Sequence, residues 1–248
     1  MKRIAILRPG PGDPFPPADA ALAEPNGLLA AGGDLSSERL LDAYRHGIFP
    51  WFGDGDPILW WSPDPRTVFA TDRVHVSSSL RRFLKRCDWT IRADVAFAEV
   101  MRACAAPRAG QPGTWITPEM LAAYAELHVL GRAHSVEVVD PSGRIVGGIY
   151  GVALGRMFFA ESMFSVATNG SKVALVALCA VLNTWGFALL DAQLSSSHLS
   201  SMGAFETPRQ DFVAHVARAC AMPFAIGKWN GRWPILNARD LAAPASGA

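Results

Sequence analysis

The chain has 248 residues, half of them hydrophobic, enough for one large domain or two unequal ones, which excludes a disordered or fibrous protein. A formal net charge of +1 gives no global basic signature, so any nucleic-acid contact must rest on a local patch. Cys87, Cys104, Cys179 and Cys220 are far apart, with no CxxC pair or zinc-type cluster, so reduced cytoplasmic thiols are the simplest reading and no metal is expected.

The opening MKRIAILRPGPGDPFPP breaks into Pro and Gly before an apolar signal core can form. Asp34 or Ser36 then caps a helix through about His46, with Leu40, Leu41 and Tyr44 on one side and Gly47 as its stop. This predicts a compact helical unit. In the following GIFPWFGDGDPILWWSPDPR, four prolines forbid a long helix while Trp51, Phe52, Trp60 and Trp61 crowd together, which predicts an ordered connection at a domain junction.

Short helices are expected over Ser78 to Arg86 and Asp94 to Ala105, and a clearer one from Thr117, with Pro118 in its first turn, to Gly131. His134 to Val139 alternates as a strand, DPSGR turns the chain, and Arg144 to Val152 and Arg156 to Phe164 follow as further strands. Ser171 to Trp185 reads as a buried helix and Phe187 to Leu194 as a strand. The most hydrophobic stretch, Val173 to Leu182, falls well short of the ~20 residues that span a bilayer, so no membrane partner is expected. A last amphipathic helix covers Arg209 to Ala221, and the tail ARDLAAPASGA is expected to fray. A meander, a helix and another strand predict a mixed sheet with a crossover, as in an N-acetyltransferase-like core of the α+β class.

Several groups could carry chemistry. Trp51, Trp60, Trp61 and Trp115 lie among loop-forming residues, where exposed rings can stack an adenine base for ~1–3 kcal/mol, although a structural tryptophan cluster is the commoner arrangement. In RMFFAESMFS, Glu161 stands among Phe158, Phe159, Met163 and Phe164 and must find partners if buried; the alternative is an exposed strand end. Strand alternation would put Phe159, Glu161 and Met163 on one face and Phe158, Ser162 and Phe164 on the other. Asp191 and Gln193, two apart at the end of an apolar strand, would share a face and could hold an amine and a carbonyl oxygen in one geometry. His198 amid serines lacks the nucleophile-elbow pattern and reads as loop-shaping. Arg81, Arg82, Lys85 and Arg86, with Arg66 and Arg73 upstream, form a basic face or ordinary solvated charges, and Lys172 opens a helix where a phosphate could sit. The glycines Gly147, Gly148, Gly151 and Gly155 fit no nucleotide fingerprint, so no cofactor is indicated.

In this order, EPNGLLAAGGDLSSERLLDAYRHGIFPWF, PILWWSPDPR, GTWIT, GRAHSVEV, VGGIYGVALG, FFAESMFS, SKVAL and LLDAQL resemble the leucyl/phenylalanyl-tRNA–protein transferase family over about residues 15–215. The resemblance implies a small N-terminal domain, residues 1–66, and an acetyltransferase-like catalytic domain, residues 67–248, related to those of peptidoglycan aminoacyl transferases. It implies transfer of leucine, phenylalanine or methionine from aminoacyl-tRNA to acceptor proteins with N-terminal Arg or Lys, which marks them for N-degron proteolysis, by a cytoplasmic monomer. By the same resemblance Trp51 and Trp115 engage the terminal adenosine, Glu161 is the active-site glutamate, and Asp191 and Gln193 stand at the reacting ester and amine. Ile149, Phe158, Leu178, Leu182 and Leu190 fall where that family builds its amino-acid pocket. Asp191 is further expected to attract the cationic N-terminal residue of the acceptor.

Two rival readings remain at this level. An acyl-CoA-dependent N-acetyltransferase would share the core, but SVATNGSK lacks the pyrophosphate-binding glycines expected before its helix. A noncatalytic binder of charged tRNA would need the tryptophans and the basic face but not Asp191 and Gln193.

Overall fold

A computed structural model describes residues 3–10, 12–107 and 114–242. The expected helical start is instead a four-stranded sheet around one helix. Strands β1 (Ala5–Leu7), β2 (Leu28–Gly32), β3 (Phe49–Pro50) and β4 (Leu59–Trp61) lie in the order β1-β2-β4-β3, with α1 (Ser37–Arg45) between β2 and β3 in sequence. These strands are too short to show alternation, and pairing that tertiary contacts decide leaves little local signature. The α1 cap is Ser36, whose hydroxyl accepts the Arg39 N–H, while Asp34 accepts from Gly10 and Ser36.

At β5 (Arg66–Ala70) the chain enters an eight-stranded sheet. Its other strands are β6 (Thr90–Ala93), β7 (Ala133–Val139), β8 (Ile145–Leu154), β9 (Met157–Ser165), β10 (Leu189–Gln193), β11 (Phe205–Thr207) and β12 (Leu236–Asn237). The spatial order is β11-β5-β10-β9-β8-β7-β6-β12, antiparallel except for β9 and β10. That parallel pair is joined by α5 (Gly170–Thr184), so the expected meander, crossover helix and returning strand are all present. Close packing at the start of the crossover depends on glycine: a Cβ at Gly147 of β8 would stand 2.3 Å from the Gly170 backbone.

The remaining helices are α2 (Ser78–Leu84), α3 (Phe97–Ala105), α4 (Pro118–Val129), α6 (Ser197–Ser201) and α7 (Arg209–Ala221). Helix α3 starts later than expected because Asp94 takes a left-handed φ of 56° and turns its carboxylate into the protein. The tail is also corrected in part. Ala238–Ala242 forms a 3-10 turn that buries Ala238, Leu241 and Ala242; residues 243–248 lie outside the described residues.

The large sheet is covered on both faces. Helix α5 packs on one face with Leu80 and Leu84 of α2 and with Trp229 from the C-terminal segment. On the other, α1, α3, α4 and α7 bury Tyr44, Val100, Tyr124 and Phe212 against Val152 and Phe159. This second cluster continues into the small sheet through Leu29 and Trp60, so the two sheets share one core. Among the described residues no helix is long and apolar enough to cross a membrane.

Candidate active site

The site forms where β9 and β10 both depart from regular geometry. In β9, Ala160 opposes Gly151 and Ser162 opposes Tyr150, which leaves Glu161 as the extra residue of a β-bulge. The bulge inverts the faces of the strand. Phe158, Ala160 and Met163 pack with the α5 cluster, whereas Phe159 and Phe164 join the opposite one. The face assignment expected from simple alternation is therefore corrected: Met163 sits with Phe158, and Phe159 with Phe164. Gly151 permits this turn, since a Cβ there would lie 2.2 Å from the Phe159 carbonyl oxygen.

Glu161 is buried, with 8% of its surface exposed, and its partners are uncharged. Tyr44 of α1 donates to Oε1 at 2.6 Å, Tyr124 of α4 donates to Oε2 at 3.1 Å, and Gln193 Nε2 donates to Oε1 at 2.9 Å. The two tyrosine hydroxyls also touch each other. Burial pushes the carboxyl up to about 7, against the opposing pull of the tyrosine hydrogen bonds. Burial likewise raises the Tyr44, Tyr124 and Tyr150 phenols well above their ordinary value, with Glu161 as the next cause.

Asp191 has a different environment. Its Oδ1 accepts from Arg66 Nε at 2.8 Å and its Oδ2 from Arg66 Nη2 at 2.6 Å, and both side chains are fully buried. Arg66 also donates to the Gly47 carbonyl and lies over the rings of Phe49 and Phe212, at 4.7 and 4.6 Å. Two expectations are thereby corrected. Arg66 is no part of a basic surface, and Asp191, already paired and sealed from solvent, cannot receive a cationic side chain. Asp191 instead accepts the Gln193 N–H at 2.9 Å, in the β10 irregularity where Gln193 takes a left-handed φ of 63°. A relay of contacts, buried at Arg66, Asp191 and Glu161 and half-buried at Gln193, runs from Arg66 through Asp191 and Gln193 to Glu161.

Beside Glu161 lies a cavity of about 100 Å³, walled by Phe69, Ile149, Met163, Leu175, Leu190, Ala192 and Leu199. Whole-ligand pockets usually occupy ~300–1,000 Å³, so this one is sized for a single side chain. Of the five residues expected in an amino-acid pocket, Ile149 and Leu190 line this cavity, whereas Phe158, Leu178 and Leu182 do not. They are buried in the same cluster, with Phe158 against Trp229. Leu175, Leu178 and Leu182 form one stripe of α5, and a rise of ~1.5 Å per residue carries the latter two past the cavity.

The tryptophans divide by role. Trp60 is fully buried, its indole N–H on the Gly32 carbonyl, and is structural. Trp51 keeps 42% of its surface exposed and stands edge-on to Trp61, whose indole N–H is held by the Trp51 carbonyl. Trp115 is half-buried against the shared core. Arg82, Lys85 and Arg86 are exposed and Arg81 half-exposed, and none has an ion-pair partner among the described residues. Lys172 is half-buried in the first turn of α5, close enough to His198 to help burial lower that histidine's pKa. The serine run shapes the chain as expected, with the Ser196 hydroxyl capping α6.

Tyr44 was legible only as an apolar-face residue of its helix, and Tyr124 was not singled out. A tyrosine there is itself a signal, because a buried phenol needs a partner. Nothing local indicated which carboxylate that partner would be.

The chain that carries this constellation is similar to known proteins over most of its length. Residues 33–64 match the family described as leucyl/phenylalanyl-tRNA protein transferase N-terminal domain, and residues 68–217 the one described as leucyl/phenylalanyl-tRNA protein transferase. Leucyl/phenylalanyl-tRNA–protein transferase of Xanthomonas campestris pv. campestris (strain B100) is 58% identical over 238 residues, which cover 96% of this chain and 95% of that one. The protein of the same name from Xylella fastidiosa (strain 9a5c) is 58% identical over 214 residues, covering 86% and 88%. Among solved structures, L-PGS from Bacillus licheniformis aligns with a TM-score of 0.38 and 11% identity over 68% of this chain and 53% of that one. A GCN5-related N-acetyltransferase from Sphaerobacter thermophilus aligns with a TM-score of 0.34 and 15% identity over 77% and 60%. The protein is an aminoacyltransferase. It belongs to the leucyl/phenylalanyl-tRNA–protein transferase family.

Proposed function

We propose that the protein transfers leucine, phenylalanine or methionine from aminoacyl-tRNA to proteins that begin with Arg or Lys, forming a peptide bond and marking them for N-degron proteolysis in the cytoplasm. The observation that carries this reading is the small apolar cavity bordered by Glu161, the carboxylate to which Gln193 donates. An apolar pocket discriminates single methylene groups by only ~1–3 kcal/mol, so a loose preference among these three side chains suits it. The donor is an activated ester and the acceptor α-amine has an ordinary pKa of ~7.7–8.0, so transfer is chiefly a matter of positioning.

In this reading Trp51 and Trp115 receive the terminal adenosine, where one stacked base contributes ~1–3 kcal/mol. Arg81, Arg82, Lys85, Arg86 and Lys172 meet tRNA phosphates. The amino-acid side chain enters between Ile149 and Leu190, with its ester carbonyl at Gln193 and Glu161. Asp191 serves the reaction indirectly, by orienting Gln193 while Arg66 neutralises it. The protein acts as a monomer.

Single-turnover transfer of labelled leucine, phenylalanine and methionine from their tRNAs to a peptide with N-terminal arginine tests the proposal. Label is expected in the peptide from all three, and none with a peptide whose α-amine is acetylated. Binding of charged tRNA without transfer would overturn the reading in favour of a noncatalytic binder.

A further inference from the structure

Which group handles the proton when the peptide bond forms is a question the geometry of the two carboxylates bears on; the answer rests on the transfer reading above. Asp191 is fully buried with both oxygens on one guanidinium, so it is neutralised and out of reach of an incoming amine. Glu161 borders the cavity and has no such cation in contact.

The contacts around Glu161 close a ring. Tyr44 touches Oε1, Tyr124 touches Oε2, and the two hydroxyls touch each other. Two hydroxyls supply two protons for these three contacts, so with Glu161 ionised one contact sets lone pairs against each other. A proton on Glu161 completes the ring. Taken singly, each hydroxyl favours the carboxylate as its donor; as a touching pair they favour the carboxylic acid. The other charged or titratable groups that face Glu161 are Tyr150 from β8, Asp191 from β10 and Arg66 from β5. Asp191 and Arg66 offset one another, and the Tyr150 phenol, raised well above its ordinary value, stays neutral. The carboxyl's elevation to about 7 agrees with a group that can hold and release a proton near neutrality.

We propose that Glu161 is the catalytic group that accepts the acceptor's proton, and that Tyr44 and Tyr124 are the positioning residues that let it do so. As the free α-amine attacks the ester carbonyl, the C–N bond forms and an N–H proton passes to the Glu161 carboxylate. Collapse of the tetrahedral intermediate breaks the C–O bond, and that proton moves on to the departing ribose oxygen. The carboxylate is restored and no further reactant is consumed. Because Tyr44 belongs to α1, the small sheet's own helix contributes to the reaction centre.

The test is the pH profile of single-turnover transfer from labelled leucyl-tRNA to a peptide with N-terminal arginine, by the full chain and by Glu161→Gln, Tyr44→Phe and Tyr124→Phe. The amine must be deprotonated in every case, so the rate falls with one power of proton concentration below ~7.7–8.0. A second power is expected to set in below the pKa of Glu161. Loss of either hydroxyl removes an acceptor for the ring proton and should move that second break down by about half a pH unit or more. Glu161→Gln should abolish the break and slow transfer about 100-fold, while its affinity for leucyl-tRNA is kept. Transfer by Glu161→Gln at the unaltered rate, or a break that stays or moves up in either tyrosine variant, overturns the proposal. Should one phenylalanine variant fail to fold by circular dichroism, the other carries the same test. No transfer by the unaltered chain would overturn the transfer reading, and this proposal with it.

Discussion

Two buried carboxylates, one on β9 and one just after β6, sit in opposite environments, and under the proposed reaction the contrast separates a proton-exchanging acid from a structural one. Glu161 on β9 has neutral donors and an empty space beside it. Asp94, just after β6, accepts from His134 Nδ1 at 2.8 Å, the Ser135 N–H at 2.9 Å and the Trp229 N–H at 2.6 Å. His134 in turn stacks on the Trp229 ring at 3.9 Å, which fastens the C-terminal segment to the sheet. Burial opposes ionisation at both acids. At Asp94 the hydrogen bond of His134, itself held below its ordinary pKa by burial, and the two backbone donors outweigh it and hold the carboxyl below its ordinary range; at Glu161 burial wins. An acid tied by an imidazole and two backbone donors is a fastening, whereas one left close to neutrality beside a cavity can exchange a proton.

The largest effect that would break this contrast is expected at the fastening. Asp94→Asn leaves Trp229 and Ser135 donors short of an anionic acceptor and should lower unfolding free energy by roughly 3 kcal/mol, read from urea denaturation. Transfer by the folded fraction should be retained. A stability change within about 0.5 kcal/mol of zero would mean the C-terminal segment is held elsewhere.

A smaller effect of opposite sign follows from pH. Glu161 has a folded pKa raised above its unfolded value of ~4.3, so its contribution is fully present below that value and is lost as pH rises through about 7. Glu137, lifted to about 7 by burial, adds to the same loss. Asp94 behaves oppositely: its contribution is present above ~3.9 and is lost as pH falls through its depressed folded pKa. Melting temperatures measured between pH 5 and pH 8 should therefore fall less steeply in Glu161→Gln than in the unaltered chain. Equal slopes would show that Glu161 is not the elevated group.

The smallest effect concerns the cavity wall. Leu175→Ala enlarges the cavity and should shift transfer toward phenylalanine over leucine by roughly 1–3 kcal/mol in relative kcat/KM. Leu182 lies off that wall, so substitution there should change stability more than preference. A preference change at Leu182 larger than at Leu175 would relocate the pocket.

The amino-acid sequence by itself determined the meander of β7, β8 and β9, the buried helix α5 and the returning strand β10, because long periodic segments record which face of an element is apolar. It also carried the family resemblance and singled out Glu161 as a carboxylate in need of partners. The short strands of the small sheet were not legible, nor was the bulge that inverts β9, since neither leaves a local period. Only the tertiary structure decided that Tyr44, 117 residues from Glu161, and Tyr124, 37 residues from it, both reach that carboxylate. It likewise decided that Arg66 neutralises Asp191 across 125 residues. Local pattern says that a polar group is buried; which group answers it depends on how helices and strands pack, and that choice gave two acids on adjacent strands different partners, a guanidinium for Asp191 and uncharged donors for Glu161.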